Sequence, residues 1–253
     1  MNLGSPIWTG FSGSYALPED EVHVWRASLN TAESGLAKLQ QILSPDERER
    51  ADRFRFEADR RRCVIGRAHL RLLLGEILDL PASRLRFEYD EFGKPGLPSM
   101  QGLPLQFNVS HSDDLILIAI AMGRAVGIDV ERIRTDLDVD GIAERFFSAD
   151  ECKTLASLSG HGRYEAFFTC WTRKEAYVKA RGVGLSLPLD QFDVSFLPNE
   201  EPRLLATRHD PAEARRWKLF GLDLSSDYAA ALAAPGSNWK LKCWNCHPSI
   251  LTT

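Results

Sequence analysis

A pattern of residues recurs along this chain at a fixed offset, and no other feature constrains its fold as much. VHVWRA, starting at residue 22, alternates as a strand does, and VGIDVE, starting at 126, does the same. LSPDE (43–47) and FSADE (147–151) each carry Ser with Glu three residues on, the capping-box signal for a helix start. A second helical stretch follows in each copy, CVIGRAHLRLLLGEIL (63–78) and EAFFTCWTRKEAYVKAR (165–181). A Leu-Pro loop comes next (Leu80-Pro81, Leu187-Pro188), then strand-like RLRFEYD (84–90) and QFDVSFL (191–197). Each copy closes on an apolar strand, LILIAIA (115–121) or YAAALAA (228–234). Strand, helices, strands, twice over, predicts an α+β fold of two similar lobes related by a pseudo-twofold, with the functional site at their interface. The expected lobes are residues 1–122 and 123–253, joined near 122–125, with a C-terminal tail from about 236.

The remaining composition excludes several classes. With 253 residues, 44% hydrophobic and 26% charged, the chain can bury a substantial core and has no disorder bias. Its apolar runs are too short to span a bilayer, and the N-terminus lacks the basic and apolar regions of a secretory signal, so no membrane role and a cytoplasmic setting are expected. A net charge of −4 argues against nucleic acid as a partner. The charge is uneven, however: between Arg48 and Arg71 there are nine arginines against four acids (Glu49, Asp52, Glu57, Asp59). That segment is either a helix face laced with ion pairs or an anion site. Cys63, Cys152 and Cys170 read as small buried hydrophobes. CWNCH (243–247) matches a haem-attachment or zinc half-site pattern without partner ligands and is taken as a tail of unknown purpose.

In AVGIDVERI (125–133), a strand would put Val126, Ile128 and Val130 on one face and Gly127, Asp129 and Glu131 on the other. Two carboxylates side by side are costly on a buried face unless one is protonated or a cation lies between them. The choice is therefore between a solvated strand edge and a metal site. On the later helix, Glu175 falls on the apolar stripe set by Tyr164, Phe167, Phe168, Trp171 and Val178. It either pairs with Lys179 one turn on or joins Asp129 and Glu131 as an oxygen-donor set suited to Mg²⁺. LQFNVSHSDD (105–114) reads as a strand running into a polar turn, Ser110-His111-Ser112, and Lys94 sits in a Gly/Pro turn.

Taken together, GKP (93–95), FNVSHS (107–112), VGIDVE (126–131), FFS (146–148) and WTRKEAYVK (171–179) resemble the Sfp-type 4′-phosphopantetheinyl transferase family in order and spacing. That family pairs an [IV]G[IV]D segment with a later [FW]xxKExxxK; here 41 residues separate Asp129 from Trp171. The resemblance spans roughly residues 20–235. It implies an enzyme that moves the 4′-phosphopantetheine arm of coenzyme A onto a serine of an acyl or peptidyl carrier protein, releasing adenosine 3′,5′-bisphosphate. By position, Asp129, Glu131 and Glu175 would hold Mg²⁺ against the pyrophosphate. Glu175 would act as general base on the carrier serine, directly or through a metal-bound water, Lys179 would neutralise or protonate the leaving phosphate, and Lys174 would contact phosphate oxygens. Lys94, Ser110 and His111 match coenzyme A contacts, and Arg50 and Arg62 match positions that bind the ribose 3′-phosphate. Glu47 and Cys63 depart from the pattern, standing where a well-known member carries lysine and threonine. A single chain holding both lobes is expected to work as a monomer. Two alternatives stand beside this: a non-catalytic module binding coenzyme A or a carrier, and, remotely, a D…ExK nuclease. The nuclease would need its lysine two residues after the acid on a strand, not four on a helix.

Overall fold

In the computed structural model the duplication is spatial. The structure describes residues 7–11, 15–30, 33–91, 93–98 and 104–246. After a short edge strand β1 (Trp8–Gly10), the first half contains β2 (Glu21–Ser28), α1 (Glu33–Ile42), α2 (Pro45–Asp52) and α3 (Glu57–Leu78). A ribbon of β3 (Glu88–Tyr89) and β4 (Pro95–Gly96) follows, then β5 (Leu105–Ser112) and β6 (Leu115–Met122). The second half repeats this order with β7 (Gly127–Arg132), α4 (Val139–Phe146), α5 (Ala149–Ala156) and α6 (Gly160–Arg181). Its ribbon is β8 (Phe192–Val194) with β9 (Leu204–Thr207), and its closing strands are β10 (Trp217–Gly221) and β11 (Tyr228–Pro235). Both long helices, α3 and α6, have 22 residues. The capping boxes form as expected: Glu47 accepts from Ser44 N at 3.0 Å, and Glu151 accepts from Ser148 N at the same distance.

The sheets correspond as well. In the first, β5, β6 and β2 are antiparallel neighbours; in the second, β10, β11 and β7 stand in the same relation. Alternation sorts each strand between two cores. Val22 and Val24 of β2, Leu117, Ala119 and Ala121 of β6, and Ile128 and Val130 of β7 meet alternate alanines and Leu232 of β11 in a core between the two sheets. The opposite faces take the helices: Trp25, Ile118 and Ile120 pack with Val64, Ile65 and Ala68 of α3, while Ala231 and Ala233 pack with Phe167, Ala176 and Tyr177 of α6. The result is two α/β lobes facing each other through their sheets.

Three expectations need correction. The segment from about 236 is not a tail of the second lobe. Its strand β12 (Lys240–Asn245) returns to the first sheet, parallel to β2, with β1 parallel beyond it. An uncovered β2 would be an open edge offering unpaired backbone groups, and β12 occupies it with Cys243 in the core between the sheets and Trp244 beside Trp25. Only Cys243 of its six residues is buried, so the strand carries too little apolar pattern to betray it. Burial pushes the Cys243 and Cys246 thiols up to about 12, which keeps them protonated and poor metal donors; His247 of the CWNCH stretch lies outside the described residues. Secondly, the strands read at 84–90 and 191–197 shrink to the ribbons Glu88–Tyr89 and Phe192–Val194. Thirdly, Ser110-His111-Ser112 is no turn. β5 runs through Ser112, and the reversal falls on Asp113, whose φ of 50° supplies the left-handed step.

Candidate active site

The site begins with a missing side chain. A Cβ placed on Gly127 would lie 2.1 Å from the Ala176 carbonyl oxygen and 2.3 Å from the Ala180 nitrogen. Only glycine therefore lets α6 cross β7 so closely. The crossing sets Lys179 of α6 over Asp129, two residues along the same strand face. Lys179 Nζ lies 2.6 Å from Asp129 Oδ1, and Ser110 donates to that oxygen at 2.9 Å. Glu175, one helical turn before Lys179, is half-buried and makes no ion pair with it; Lys179 has turned to Asp129 instead.

The two sheets meet along β5 and β7 without a main-chain ladder. β7 bonds through its backbone to β11 on one side. On the other side, alternate polar side chains of β5 serve as acceptors: Asn108 Oδ1 takes Ile128 N at 2.9 Å, Ser110 Oγ takes Val130 N at 3.4 Å, and Ser112 Oγ takes Arg132 N at 3.0 Å. Ser112 also donates to Glu131 Oε2 at 3.0 Å. The first lobe thus touches both strand carboxylates through hydroxyls.

Charge on this face is in excess. Burial pushes the carboxyl groups of Asp129, Glu131 and Glu175 above the ordinary range, and the Asp129 charge raises the other two further. Asp129 is 3% exposed, and its Oδ2 is buried without a hydrogen-bond partner. An orphaned carboxylate oxygen beside two more carboxylates is a donor set for a hard divalent cation, so these residues fit Mg²⁺. Among the described residues no three such groups already converge at coordinating distance; the Lys179 ammonium holds the innermost contact.

Around this face the lobes leave a continuous cleft. A recess of about 380 Å³ is lined by Ser110, His111, Asp129, Glu131, Trp171, Glu175 and Lys179. It shares His111 and Val109 with a recess of about 360 Å³ that holds Arg50, Arg62, Arg67 and Cys63. It shares Trp171, Glu175 and Lys179 with a groove of about 750 Å³, walled by Lys94, Phe107, Arg145, Phe146, Leu187 and Pro188. Lys94 Nζ donates to the Lys179 carbonyl at 3.0 Å, tying the first lobe to the last turns of α6. The structure therefore brings together Arg50, Arg62, Lys94, Ser110, His111, Asp129, Glu131, Glu175 and Lys179 from the sequence expectation.

Lys174 is the exception. Expected to touch phosphate, it is fully buried, 2.7 Å from Glu151 and donating to the carbonyls of Leu189 and Phe192. Its place on α6, facing α5 and not the cleft, gives it a structural role. Glu47 likewise turns inward and does not itself line the arginine recess; it pairs with Arg71 at 2.6 Å and with Arg67 of that recess at 3.5 Å, offsetting part of its charge. Sequence reading missed Asn108 and Ser112, whose signal was the alternation N-x-S-x-S along one face of the strand. Trp171, read as part of the apolar stripe, does pack against that core, but its ring is half-buried and also lines both recess and groove.

Comparisons with known proteins point to one family. Residues 125–233 match the family model of the 4′-phosphopantetheinyl transferase superfamily, and residues 25–123 match that of the 4′-phosphopantetheinyl transferase N-terminal domain. The 4′-phosphopantetheinyl transferase HetI of Nostoc sp. is 37% identical over 239 residues, 94% of this chain and 98% of that protein. The 4′-phosphopantetheinyl transferase psf-1 of Bacillus pumilus is 35% identical over 71% of this chain and 75% of its own length. Among solved structures, a holo-(acyl-carrier-protein) synthase from Bacillus anthracis in complex with CoA (3′,5′-ADP) is 23% identical. It covers 45% of this chain and 96% of its own at a TM-score of 0.35, which adds nothing to the family match.

Proposed function

This chain belongs to the 4′-phosphopantetheinyl transferase superfamily, and from that premise we propose that it transfers the 4′-phosphopantetheine arm of coenzyme A to a serine of an apo carrier protein. The observation that supports this best is the junction of the lobes. There Asp129, Glu131, Glu175 and Lys179 share one recess, with an arginine-lined recess on one side and an apolar groove on the other. Arg50, Arg62 and His111 would take the ribose 3′-phosphate, and the groove would take the pantetheine arm and present it to the carrier.

Asp129, Glu131 and Glu175 would hold Mg²⁺, which when bound offsets the charge on the pyrophosphate oxygens and polarises them. Glu175 is the base in this scheme. Burial lifts its carboxyl towards the pH at which it works, and it accepts the proton of the carrier serine as that oxygen attacks the pantetheine-bearing phosphorus. Lys179 meets the negative charge left on adenosine 3′,5′-bisphosphate as the pyrophosphate bond breaks. Both lobes lie in one chain, so the enzyme works as a monomer, which sedimentation would check.

The test is mass spectrometry of a panel of apo carrier proteins incubated with the chain, coenzyme A and Mg²⁺. A carrier should gain one phosphopantetheine arm, and chelation or Asp129→Ala should abolish the gain. Tight coenzyme A binding with every carrier unmodified would instead identify a binding module.

A further inference from the structure

Glu131 stands at the end of a strand whose outer edge has no main-chain partner. What faces that edge is the first lobe, and the group nearest Glu131 is a hydroxyl from it. Ser112 Oγ receives the Arg132 N–H at 3.0 Å and lies 3.0 Å from Glu131 Oε2. Because a backbone N–H can only donate, the Ser112 oxygen accepts there, and its single proton is left for the carboxylate. The direction of the bond is thereby fixed by geometry. A charge-assisted bond of this kind is about twice as strong as a neutral one and orients the oxygen it reaches.

We propose that Ser112 is a positioning residue, aiming Glu131 at the cation seat from the opposite lobe through this one hydrogen bond. The inference rests on the metal reading given above. Ser112 does not line the cleft, so it touches neither substrate nor cation and acts only through Glu131. Asn108 supplies the control: it accepts Ile128 N at 2.9 Å in the same seam but bonds to no carboxylate. Loosening the seam and releasing Glu131 can therefore be separated.

The experiment titrates the metal-free chain with Mn²⁺ alone and counts free ion by electron paramagnetic resonance. Ser112→Ala should weaken Mn²⁺ binding about tenfold, the usual cost of losing the partner of a ligand, and Ser112→Thr, which keeps the hydroxyl, should restore it. Asn108→Ala should lower the melting temperature at least as much while moving Mn²⁺ affinity less than twofold. Wild-type Mn²⁺ affinity in Ser112→Ala overturns the proposal, as does an equal loss in Asn108→Ala, which would assign the effect to the seam alone. No Mn²⁺ binding by the wild type would overturn the metal reading and this proposal with it.

Discussion

Arg71 and Lys174 hold the same place in the two lobes. Arg71 pairs with Glu47, the capping-box acid of α2, at 2.6 Å and donates to the carbonyls of Ala82 and Leu85 past Pro81. Lys174 pairs with Glu151, the capping-box acid of α5, at 2.7 Å and donates to the carbonyls of Leu189 and Phe192 past Pro188. Each cation ties a long helix to a short one and to the loop that follows. Lys174→Met leaves Glu151 buried without its cation, which should cost about 3 kcal/mol of stability, read from urea unfolding. The folded fraction should keep its KM for coenzyme A. A raised KM with unchanged stability would return Lys174 to the substrate.

This symmetry explains what the sequence could and could not reveal. Repeats such as LSPDE and FSADE are legible because capping is local chemistry, and Gly127-Ile128-Asp129 is legible because alternation assigns faces. Lys174 was misplaced because a lysine next to Glu175 in a site motif looks functional; helix periodicity already points the two in different directions, but only the fold shows that the Lys174 face meets Glu151 of α5 and not the cleft. β12 was missed because pairing with β2 is a contact across the whole chain. The alternation of Asn108, Ser110 and Ser112 marks a polar strand face, but what that face meets depends on the two lobes coming together.

Glu175 costs the metal-free protein stability. Its folded pKa is raised, so its favourable contribution is complete below the ordinary carboxylate range, about pH 4, and is lost as pH rises through the folded value. With chelator present, Glu175→Gln should therefore be more stable than wild type at pH 7, and the difference should shrink towards pH 4. Mg²⁺ should reverse the order by stabilising wild type more. Denaturant titrations at both pH values would decide, and a variant less stable at pH 7 would contradict the burial argument.

Arg62 shares its charge with Asp59 at 3.4 Å and lies near Asp113 and Asp114. The grip on a 3′-phosphate proposed for it would thus be partly offset. Wild type should prefer coenzyme A over 3′-dephospho-coenzyme A by about 1 to 3 kcal/mol, the range for a charge-assisted contact, and Arg62→Ala should lose most of that preference. Equal discrimination by both proteins, in paired KM measurements, would move the grip to Arg50 and His111.

Ending the chain at Pro235 would strip β12 from β2 and unseat Trp239 and Cys243, each 4% exposed. The freed edge of β2 is eight residues long, with Val22 and Val24 on one face and Trp25 and Ala27 on the other, a template for intermolecular pairing. The truncated chain should aggregate on expression even though no cleft residue is removed. A soluble product with wild-type turnover would show that β12 is dispensable.

Gly127→Ala gives the sharpest check on how the site is assembled. Its new methyl would sit 2.1 Å from one backbone atom of α6 and 2.3 Å from another, and neither can rotate away as a side chain tip could. The helix must lift from β7, at an overpacking cost near the upper end of about 1 to 3 kcal/mol. Lifting α6 carries Glu175 and Lys179 off the carboxylates of β7 but leaves the arginine recess intact, since its lining comes from α2, α3, β5, β6 and the segments between them. The KM for coenzyme A should therefore change little while kcat falls about 100-fold, the scale of a 1 Å misplacement at a reacting centre. Steady-state kinetics with a carrier in excess separates the two parameters. Wild-type kcat in this variant would mean that α6 need not touch β7 for the chemistry to run.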